Sequence, residues 1–513
     1  MSASTTSTGS TTPNAASALD QHSSWLWLVA ATLCLVFADG RYTVQAASWL
    51  ALIGLLRFAR LQPAVRGLFA IYLALTFAHT IAWRGMVQIK GIAYFGFFLA
   101  TSLAEVLPYV ADRLLYPKLR PTVHAFVFPA ALVTLQWLLS YGPQGTWGAM
   151  AYTQADNLPL LQSLAVFGLW WIPFLIGWCA TSANLLLQHG IGSSAARKLA
   201  YAFIAAYLLT VVIGGARLAM SPVISPTVRV AALSPSQRDE RRLEQLIAAI
   251  RQHEVDGPAV EEFDSSAART RDELLARSER EAAAGAKIVF WSEGAVTLRK
   301  QHEAELLRAG RQIAARNKIY LGVSAAVWDE RRARPLENKL VLIAPDGAVA
   351  FEYLKTHPTL GLEWDSAVAG PGRLPLVRTP FGKLSAAICY DTDFPALIAQ
   401  AGAQGADIVL SPADDWREID PRHTTMARFR AIEQGVNLVR SASDGLSAAY
   451  DYQGRTLAAI HDADGAGRDL IAHVPMRGVR TIYSRVGDVF AWCCALALGA
   501  LWVSAVATRR PRA

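Results

Sequence analysis

Apolar stretches of roughly bilayer-spanning length alternate with short polar turns over the first 220 residues, and one more follows a long polar part. A membrane-spanning helix needs about 20 mostly apolar residues. We therefore predict spans at about 24–40, 44–60, 64–83, 91–110, 122–141, 160–188, 199–219 and 488–507. This pattern indicates a multi-pass α-helical membrane domain of about eight spans, the first seven of them within residues 24–220.

The polar part, residues 221–486, has the pattern of an α/β domain. Runs rich in β-branched and aromatic residues predict strands at Thr227–Leu233, Lys287–Trp291, Tyr320–Ala326, Lys339–Ala344, Val349–Leu354, Leu384–Ile388, Ile408–Ser411, Leu438–Ser441 and Leu446–Tyr450. Helical patterns fall between them, at about 239–252, 265–285, 303–316, 394–402 and 421–434. Such alternation is typical of layered α/β folds, and the segment is long enough for one sizeable core.

The two ends of the chain differ in charge. Residues 1–23 are rich in Ser and Thr and contain no Lys or Arg, so they lack the basic start of a signal peptide, and we predict a disordered tail. Residues 487–513 are predicted to hold the last span and a basic cytoplasmic tail. With 53% hydrophobic and only 18% charged residues, the 513-residue chain is too apolar for an ordinary soluble protein.

The distribution of Lys and Arg between the spans predicts the orientation, because short basic loops stay in the cytoplasm. With the N-terminus inside, the inner loops and tail hold Arg57, Arg60, Arg66, Arg113, Lys118, Arg120, Arg197, Lys198, Arg509, Arg510 and Arg512, and the outer loops hold only Arg41, Arg84 and Lys90. The polar domain then lies outside the cytoplasm. Since these loops largely account for the net charge of +8, and the polar domain has no basic stripe, nucleic acid is not an expected partner.

The candidate chemistry centres on Cys389, which follows a predicted strand, as Glu293 and Lys355 follow two others. A nucleophilic thiol needs a base to take its proton and positive charge to stabilise the anions that form. The other four cysteines lie in apolar runs, where a thiol is usually a small buried hydrophobe, so a disulfide framework is not expected.

Taken singly, each of these residues has a plainer interpretation. Cys389 could be an inert buried thiol, and Glu293 and Lys355 could be solvated surface charges; only their combination favours catalysis. The ten histidines form no HExxH motif and no paired His/Cys spacing, and the chain has no P-loop. We therefore expect neither a metal nor a cofactor.

The order Glu293, Lys355, Cys389, with its local contexts, resembles the nitrilase (carbon-nitrogen hydrolase) superfamily, and the eight spans around an inserted polar domain resemble its apolipoprotein N-acyltransferase family. Further matches are Glu363, eight residues after Lys355, and Cys389-Tyr390-Asp391, where that family has Cys-Tyr-Glu. Asp414, Trp416 and the helix from Met426 to Glu433 also fit. The resemblance implies an αββα sandwich for the polar domain.

It also implies a two-step acyl transfer in a bacterial inner membrane, with the catalytic domain on the periplasmic side. A phospholipid would acylate Cys389, and the N-terminal amine of a diacylglyceryl-modified lipoprotein would then take the acyl group. Glu293 would be the base and Lys355 would stabilise the oxyanion. Glu363 would orient them, and Tyr390, Asp391 and Trp416 would support the site or bind substrate.

The chain departs from that family around the substrate entrance. The family has Gln-x-Asn, Leu-Val-Pro-Phe-Gly, Asn-Asp-x-Trp-Phe and Asn-Thr-Gly where this chain has Ala232–Ser234, Pro358–Leu362, Ala413–Arg417 and Ser443–Gly445. The acyl acceptor therefore stays open. One alternative is a membrane-anchored amidase, in which water resolves the acyl-enzyme; another is a catalytically silent scaffold that binds envelope proteins. The aromatic loop at about 142–159 is either an interfacial belt or the border of a lipid groove.

Overall fold

A computed structural model describes residues 18–236, 257–461 and 469–507, which form a helical bundle and a two-sheet domain. The bundle consists of α1 (Ala18–Ala38), α2 (Gln45–Leu61), α3 (Ala64–Ala82), α4 (Ile92–Glu105), α5 (Leu107–Leu115), α6 (Pro121–His124), α7 (Val127–Leu139), α8 (Leu158–Leu161), α9 (Leu164–Phe167), α10 (Trp171–His189) and α11 (Ser194–Met220). The last helix of the chain, Val489–Ala507, packs back against α7 and α5.

Each predicted apolar stretch coincides with helical structure. Five helical segments of the described residues are long and apolar enough to cross a membrane: Ala64–Ala82, Ile92–Leu115, Pro121–Leu139, Leu158–His189 and Ser194–Met220. His22–Ala38 and Val489–Ala505 are shorter apolar helices, and α2 has only 17 residues with Arg57 and Arg60 among them. The bundle is therefore that of a membrane protein, while the count of eight crossings stays a prediction.

Two details of the bundle differ from the sequence prediction. Helix α1 begins at Ala18, so the end of the stretch predicted as a disordered tail is helical, and residues 1–17 lie outside the described residues. The predicted span at 160–188 is broken at Gly168, whose φ of 64° lies in a region that favours glycine. A Cβ at position 168 would clash with the ring of Tyr483, which belongs to the polar domain. Glycine at the break therefore allows the polar domain to approach the helical bundle closely.

The polar domain contains two sheets packed face to face. The strands are β1 (Thr227–Leu233), β2 (Ile288–Trp291), β3 (Val296–Arg299), β4 (Tyr320–Trp328), β5 (Leu336–Ile343), β6 (Val349–Leu354), β7 (Val377–Thr379), β8 (Gly382–Ala386), β9 (Ile408–Asp414), β10 (Asn437–Ser443), β11 (Leu446–Tyr450), β12 (Thr456–His461) and β13 (Leu470–Pro475). One sheet has the order β13-β1-β2-β4-β5-β6, with β3 beside β4, and the other has the order β12-β11-β10-β9-β8-β7.

Helices cover the outer faces of both sheets. Helices α12 (Pro258–Ala283) and α13 (Glu303–Asn317) pack on the first, and α14 (Pro395–Gln404) and α15 (Arg422–Gln434) lie on the side of the second. Between the sheets, apolar side chains such as Phe290 and Leu342 meet Leu410 and Val439. This is the expected αββα sandwich. The helix predicted at 239–252 lies outside the described residues.

The prediction missed four strands, β3, β7, β12 and β13. Strand β3 has four residues, β7 has three, and β12 is largely exposed, so these three strands show no long apolar run. Strand β5 begins at Leu336 rather than Lys339, because the buried polar residues Glu337 and Asn338 continue the strand. Polar side chains hide a strand from pattern analysis, and one of these two, Asn338, lines the candidate site.

The carboxylate of Asp488 stabilises the connection from the polar domain to the last helix. Asp488 accepts hydrogen bonds from the indoles of Trp137 (3.1 Å) and Trp170 (2.6 Å) and from the hydroxyl of Tyr483 (2.7 Å). At the other junction, Gln162 on the bundle donates to the carbonyl of Gln453 at 2.9 Å. Both ends of the inserted domain are thus tied to the helices.

Candidate active site

Cys389 lies just after β8, at the start of a single 3₁₀ turn, Cys389–Asp393. Its φ of 46° is positive, which is uncommon for a residue with a Cβ and is a form of strain often found at functional sites. The side chain is buried, with 4% of its surface exposed. The turn therefore holds the thiol in one position at the carboxyl ends of parallel strands β8, β9 and β10.

Glu293, Lys355 and Glu363 form one buried cluster with the amide of Asn338. The Lys355 Nζ atom lies 2.7 Å from Oε1 of Glu293 and 2.5 Å from Oε2 of Glu363. Asn338 Nδ2 donates to both carboxylates at 2.7 Å. Lys355 also donates to the hydroxyl oxygen of Thr359 at 2.9 Å, and the N–H of Thr359 donates to Glu363 at 2.9 Å. The amine is thus fixed between two acids.

The charges in this cluster stabilise one another. Burial opposes the charge of Lys355, but the carboxylates of Glu293 and Glu363 raise its pKa well above the usual value. Burial likewise opposes the charge of Glu363, yet Lys355 holds its pKa below the ordinary range. Lys355 is therefore a permanent cation, suited to stabilising an oxyanion and not to taking a proton.

Burial and the negative charge of Glu293 raise the pKa of the Cys389 thiol, while His423 and Lys355 partly offset this. We therefore expect Cys389 to rest as a thiol, and as a nucleophile it would be activated only during attack. It needs a proton acceptor at the moment of attack, and Glu293 faces the same cavity as Cys389.

A second group of buried charges lies beside Cys389, formed by Arg440 of β10, Asp415 after β9, His423 of α15 and Asp393 of the turn. Arg440 of β10 donates from Nη2 to Oδ1 of Asp415 at 2.9 Å, and the same carboxylate oxygen lies 2.8 Å from Nδ1 of His423. The Nε2 atom of His423 lies 3.3 Å from Oδ2 of Asp393. Burial opposes the charge of Asp415, but Arg440 and His423 lower its pKa to about 2.

Cys389, Asp415 and His423 offer ligand atoms that lie within 4.8 Å of one another. The guanidinium of Arg440 already occupies this donor set, with Nη2 2.9 Å from Asp415 and 2.8 Å from His423. A metal cation would have to displace a buried positive charge. The arrangement therefore suits an anionic sulfur better than a metal.

The remaining predicted site residues lie at different depths. Asp391 is fully buried outside the cavity and accepts hydrogen bonds from the Tyr353 hydroxyl (2.7 Å) and the His357 N–H (2.8 Å), so it fixes the turn that carries Cys389. Tyr390 lines the cavity and donates to the carbonyl of Pro143 at 2.9 Å. Trp416 also lines it.

The site opens into a cavity of about 1300 Å³ that both parts of the chain enclose. The bundle contributes apolar residues of the α3–α4 connection and α4, together with Gln144 and Trp147 of the aromatic loop. The indole of Trp416 donates to the carbonyl of Gly85 at 2.8 Å across the junction. Trp147 thus lines this cavity, whereas Trp170 is buried against Asp488.

Sequence reasoning missed Asn338, Asp393, His423 and Arg440. A signal existed for Arg440, the single charged residue within the predicted strand Leu438–Ser441. A charge in such a strand is buried, and a buried charge needs a partner. Asn338, in contrast, shows its role only once the strands are assembled.

The comparisons with known proteins show the family to which the chain belongs. Residues 223–482 match the family model described as carbon-nitrogen hydrolase. The chain is similar to proteins named apolipoprotein N-acyltransferase: one from Bradyrhizobium diazoefficiens is 28% identical over 452 residues, covering 80% of this chain and 78% of that one. One from Rhodopseudomonas palustris is 27% identical over 464 residues, covering 83% and 80%. A shorter stretch of 153 residues is 34% identical to deaminated glutathione amidase of Homo sapiens, covering 28% and 47%.

Proposed function

The chain belongs to the carbon-nitrogen hydrolase family, and on that premise we propose that it is a lipoprotein N-acyltransferase of the bacterial inner membrane. The observation that carries this proposal is the cavity. A nucleophilic cysteine, an acid and a cation of this family face a space whose opposite wall is made by the membrane helices. Such a space suits an acyl donor that stays in the bilayer. The names of the similar full-length proteins support the same activity.

In the first step, Glu293 takes the proton of the Cys389 thiol, and the sulfur attacks the ester carbonyl of a phospholipid. Lys355 stabilises the oxyanion of the tetrahedral intermediate, held in place by Glu363 and Asn338. The C–O bond then breaks and Glu293 returns the proton to the leaving oxygen. The products are a lysophospholipid and a thioester on Cys389.

In the second step, the α-amine of a diacylglyceryl-modified cysteine attacks the thioester carbon. Glu293 accepts a proton from the amine, the C–S bond breaks, and the proton passes to the departing sulfur. The products are an N-acylated lipoprotein and the free thiol. The distribution of Lys and Arg supports a periplasmic position for this reaction.

A second candidate is an amidase, favoured by the 34% identity over 153 residues to a deaminated glutathione amidase. In that reaction an amide would acylate Cys389, and water would take the place of the amine acceptor. The wall of membrane helices favours the acyltransferase, because a small soluble amide has no need of it.

The test is the intact mass of the detergent-purified protein after incubation with phosphatidylethanolamine, followed by addition of a diacylglyceryl lipopeptide. We expect a fatty-acyl mass gain that transfers to the lipopeptide amine. Cys389→Ala should lose the gain, and Cys493→Ala, which removes an exposed thiol of the last helix, should keep it. An adduct lost only to water would indicate a hydrolase, and no adduct in the wild type would refute acyl transfer.

A further inference from the structure

The charges around His423 determine its protonation. Asp415 lies 2.8 Å from Nδ1 and Asp393 lies 3.3 Å from Nε2, so each ring nitrogen faces a carboxylate. A neutral imidazole has one N–H and one acceptor nitrogen, and only the imidazolium has two donors. Arg440 Nη2 also lies 2.8 Å from Nδ1, but one guanidinium does not neutralise two buried carboxylates, so the two acids together favour the charged ring.

Asp393 makes this requirement stronger. The side chain is fully buried, and neither carboxylate oxygen has a hydrogen bond from any part of the chain that the structure describes. A buried carboxylate without a donor or a counter-charge is costly. The nearest cation that the geometry offers is His423. Burial and Arg440 oppose the charge of His423, but Asp393 and Asp415 raise its pKa well above the usual value.

The other groups around His423 are Arg440, Trp147 and Cys389, and the ring lies close to the sulfur of Cys389. Arg440 contacts it from β10, the ring edge of Trp147 packs on it from the bundle at 5.2 Å between centroids, and the Cys389 sulfur lies within 4.8 Å. Arg440 Nη2 is 4.0 Å from the same sulfur. If the imidazole ring is charged, the two positive charges of His423 and Arg440 balance the two negative charges of Asp393 and Asp415.

We propose that His423 is a fixed imidazolium that stabilises the anionic sulfur of Cys389, as a second cationic group in addition to Lys355. Each ring nitrogen lies within 3.3 Å of a carboxylate oxygen, so the ring acts by its charge and leaves the role of base to Glu293. The anionic sulfur forms twice in the cycle, when the thiol attacks and when the thioester is broken. Asp393 and Asp415 are positioning residues for the ring. This inference rests on the proposed role of Cys389 as the nucleophile.

The test is the pH dependence of alkylation of Cys389 by iodoacetamide, in full-length protein whose other four cysteines are alanine. An opposite charge at this distance shifts a pKa by about 1 or more. We expect His423→Gln to raise the apparent pKa of the thiol by about 1, so that alkylation below that pKa slows about 10-fold, while the limiting rate at high pH is unchanged. His302→Gln is the matched control, because His302 also pairs with a carboxylate, Asp264 at 3.0 Å, but does not line the cavity.

An unchanged thiol pKa in folded His423→Gln would overturn the proposal. A second measurement needs no variant: the pH dependence of hydrogen–deuterium exchange at the C2 position of each histidine, read by mass spectrometry in the wild type. We expect His423 to titrate well above 6.5, and titration at or below 6.5 would equally overturn it. Because neither measurement uses lipid or lipopeptide, failure of acyl transfer is distinguished from failure of this inference.

Discussion

Replacement of Lys355 by methionine tests the buried charge cluster most directly, because methionine is an unbranched side chain of similar length that lacks the charge and the N–H donors. Glu293 and Glu363 would then share a buried site with Asn338 and no cation. Two adjacent buried carboxylates cannot both stay ionised, so one takes up a proton. Folding must then include that protonation.

The resulting loss in the free energy of unfolding follows from the ordinary pKa of a glutamate. Protonating a glutamate of pKa about 4.3 at pH 7 costs about 1.4 kcal/mol per pH unit, or about 3.7 kcal/mol. Removal of one partner from a buried ion pair typically lowers the free energy of unfolding by about 3–5 kcal/mol, which agrees with this value. Since the folded variant holds a proton that its unfolded chain releases above pH 4.3, its deficit grows with pH and is only about 1 kcal/mol at pH 5.

Catalysis should suffer more than stability. Loss of an oxyanion-stabilising group costs about 10²–10³ in rate, and a protonated Glu293 can no longer act as the base. We expect Lys355→Met to show no acyl adduct by intact mass within the time that the wild type is fully acylated. The thermal midpoint should fall, and by less at pH 5 than at pH 7.

Lys339→Met is the matched control. Lys339 is also buried on a strand of the same sheet and contacts Glu303, Glu337 (2.9 Å) and Glu352 (3.0 Å), but it does not line the cavity. It should lose stability and keep the acyl adduct. Formation of a normal adduct by Lys355→Met, or loss of the adduct in both variants, would refute the role given to Lys355.

Three further outcomes are expected. Asp415→Asn should lower the free energy of unfolding by about 2 kcal/mol at pH 7, a difference that denaturant titrations should show vanishing as the pH falls through about 2, because the folded-state pKa lies below the unfolded value. Gly145→Ala should reduce acyl transfer, since its φ of 54° and a backbone oxygen 2.5 Å from the new Cβ displace the loop from the turn that carries the nucleophile; Gly148→Ala, with open space, should not. Single cysteines introduced near Gly142, and not near Arg113, should react with an impermeant reagent in intact cells; labelling near Arg113 alone would overturn the orientation.

The sequence was sufficient for the parts of the fold that depend on local pattern. Apolar length predicted helices at every proposed span, and alternation of strands with helices predicted the α/β domain. Glu293, Lys355 and Cys389 could be selected because each follows a predicted strand: Glu293 follows β2 and Lys355 follows β6 of one sheet, and Cys389 follows β8 of the facing sheet.

Residues whose role depends on assembly could not be found in this way. Asn338 lies inside β5, and its amide reaches two acids that are 45 and 25 residues away in sequence. His423 begins a helix and meets Asp393 and Asp415 only after the two strands and the turn have come together. Local pattern carries no information about such contacts, although a lone charge inside a predicted strand, such as Arg440, indicates that one exists.

The three hydrogen bonds onto Asp488 have a consequence for how substrates move. Contacts at Asp488 and near Gln453 hold both ends of the catalytic domain against the bundle and oppose its tilting away like a lid. We therefore expect the proposed lipid donor to arrive and depart sideways, by two-dimensional diffusion in the plane of the membrane. Turnover would then respond to the viscosity of the bilayer and to the crowding of lipids around the cavity mouth, where Leu362 is largely exposed.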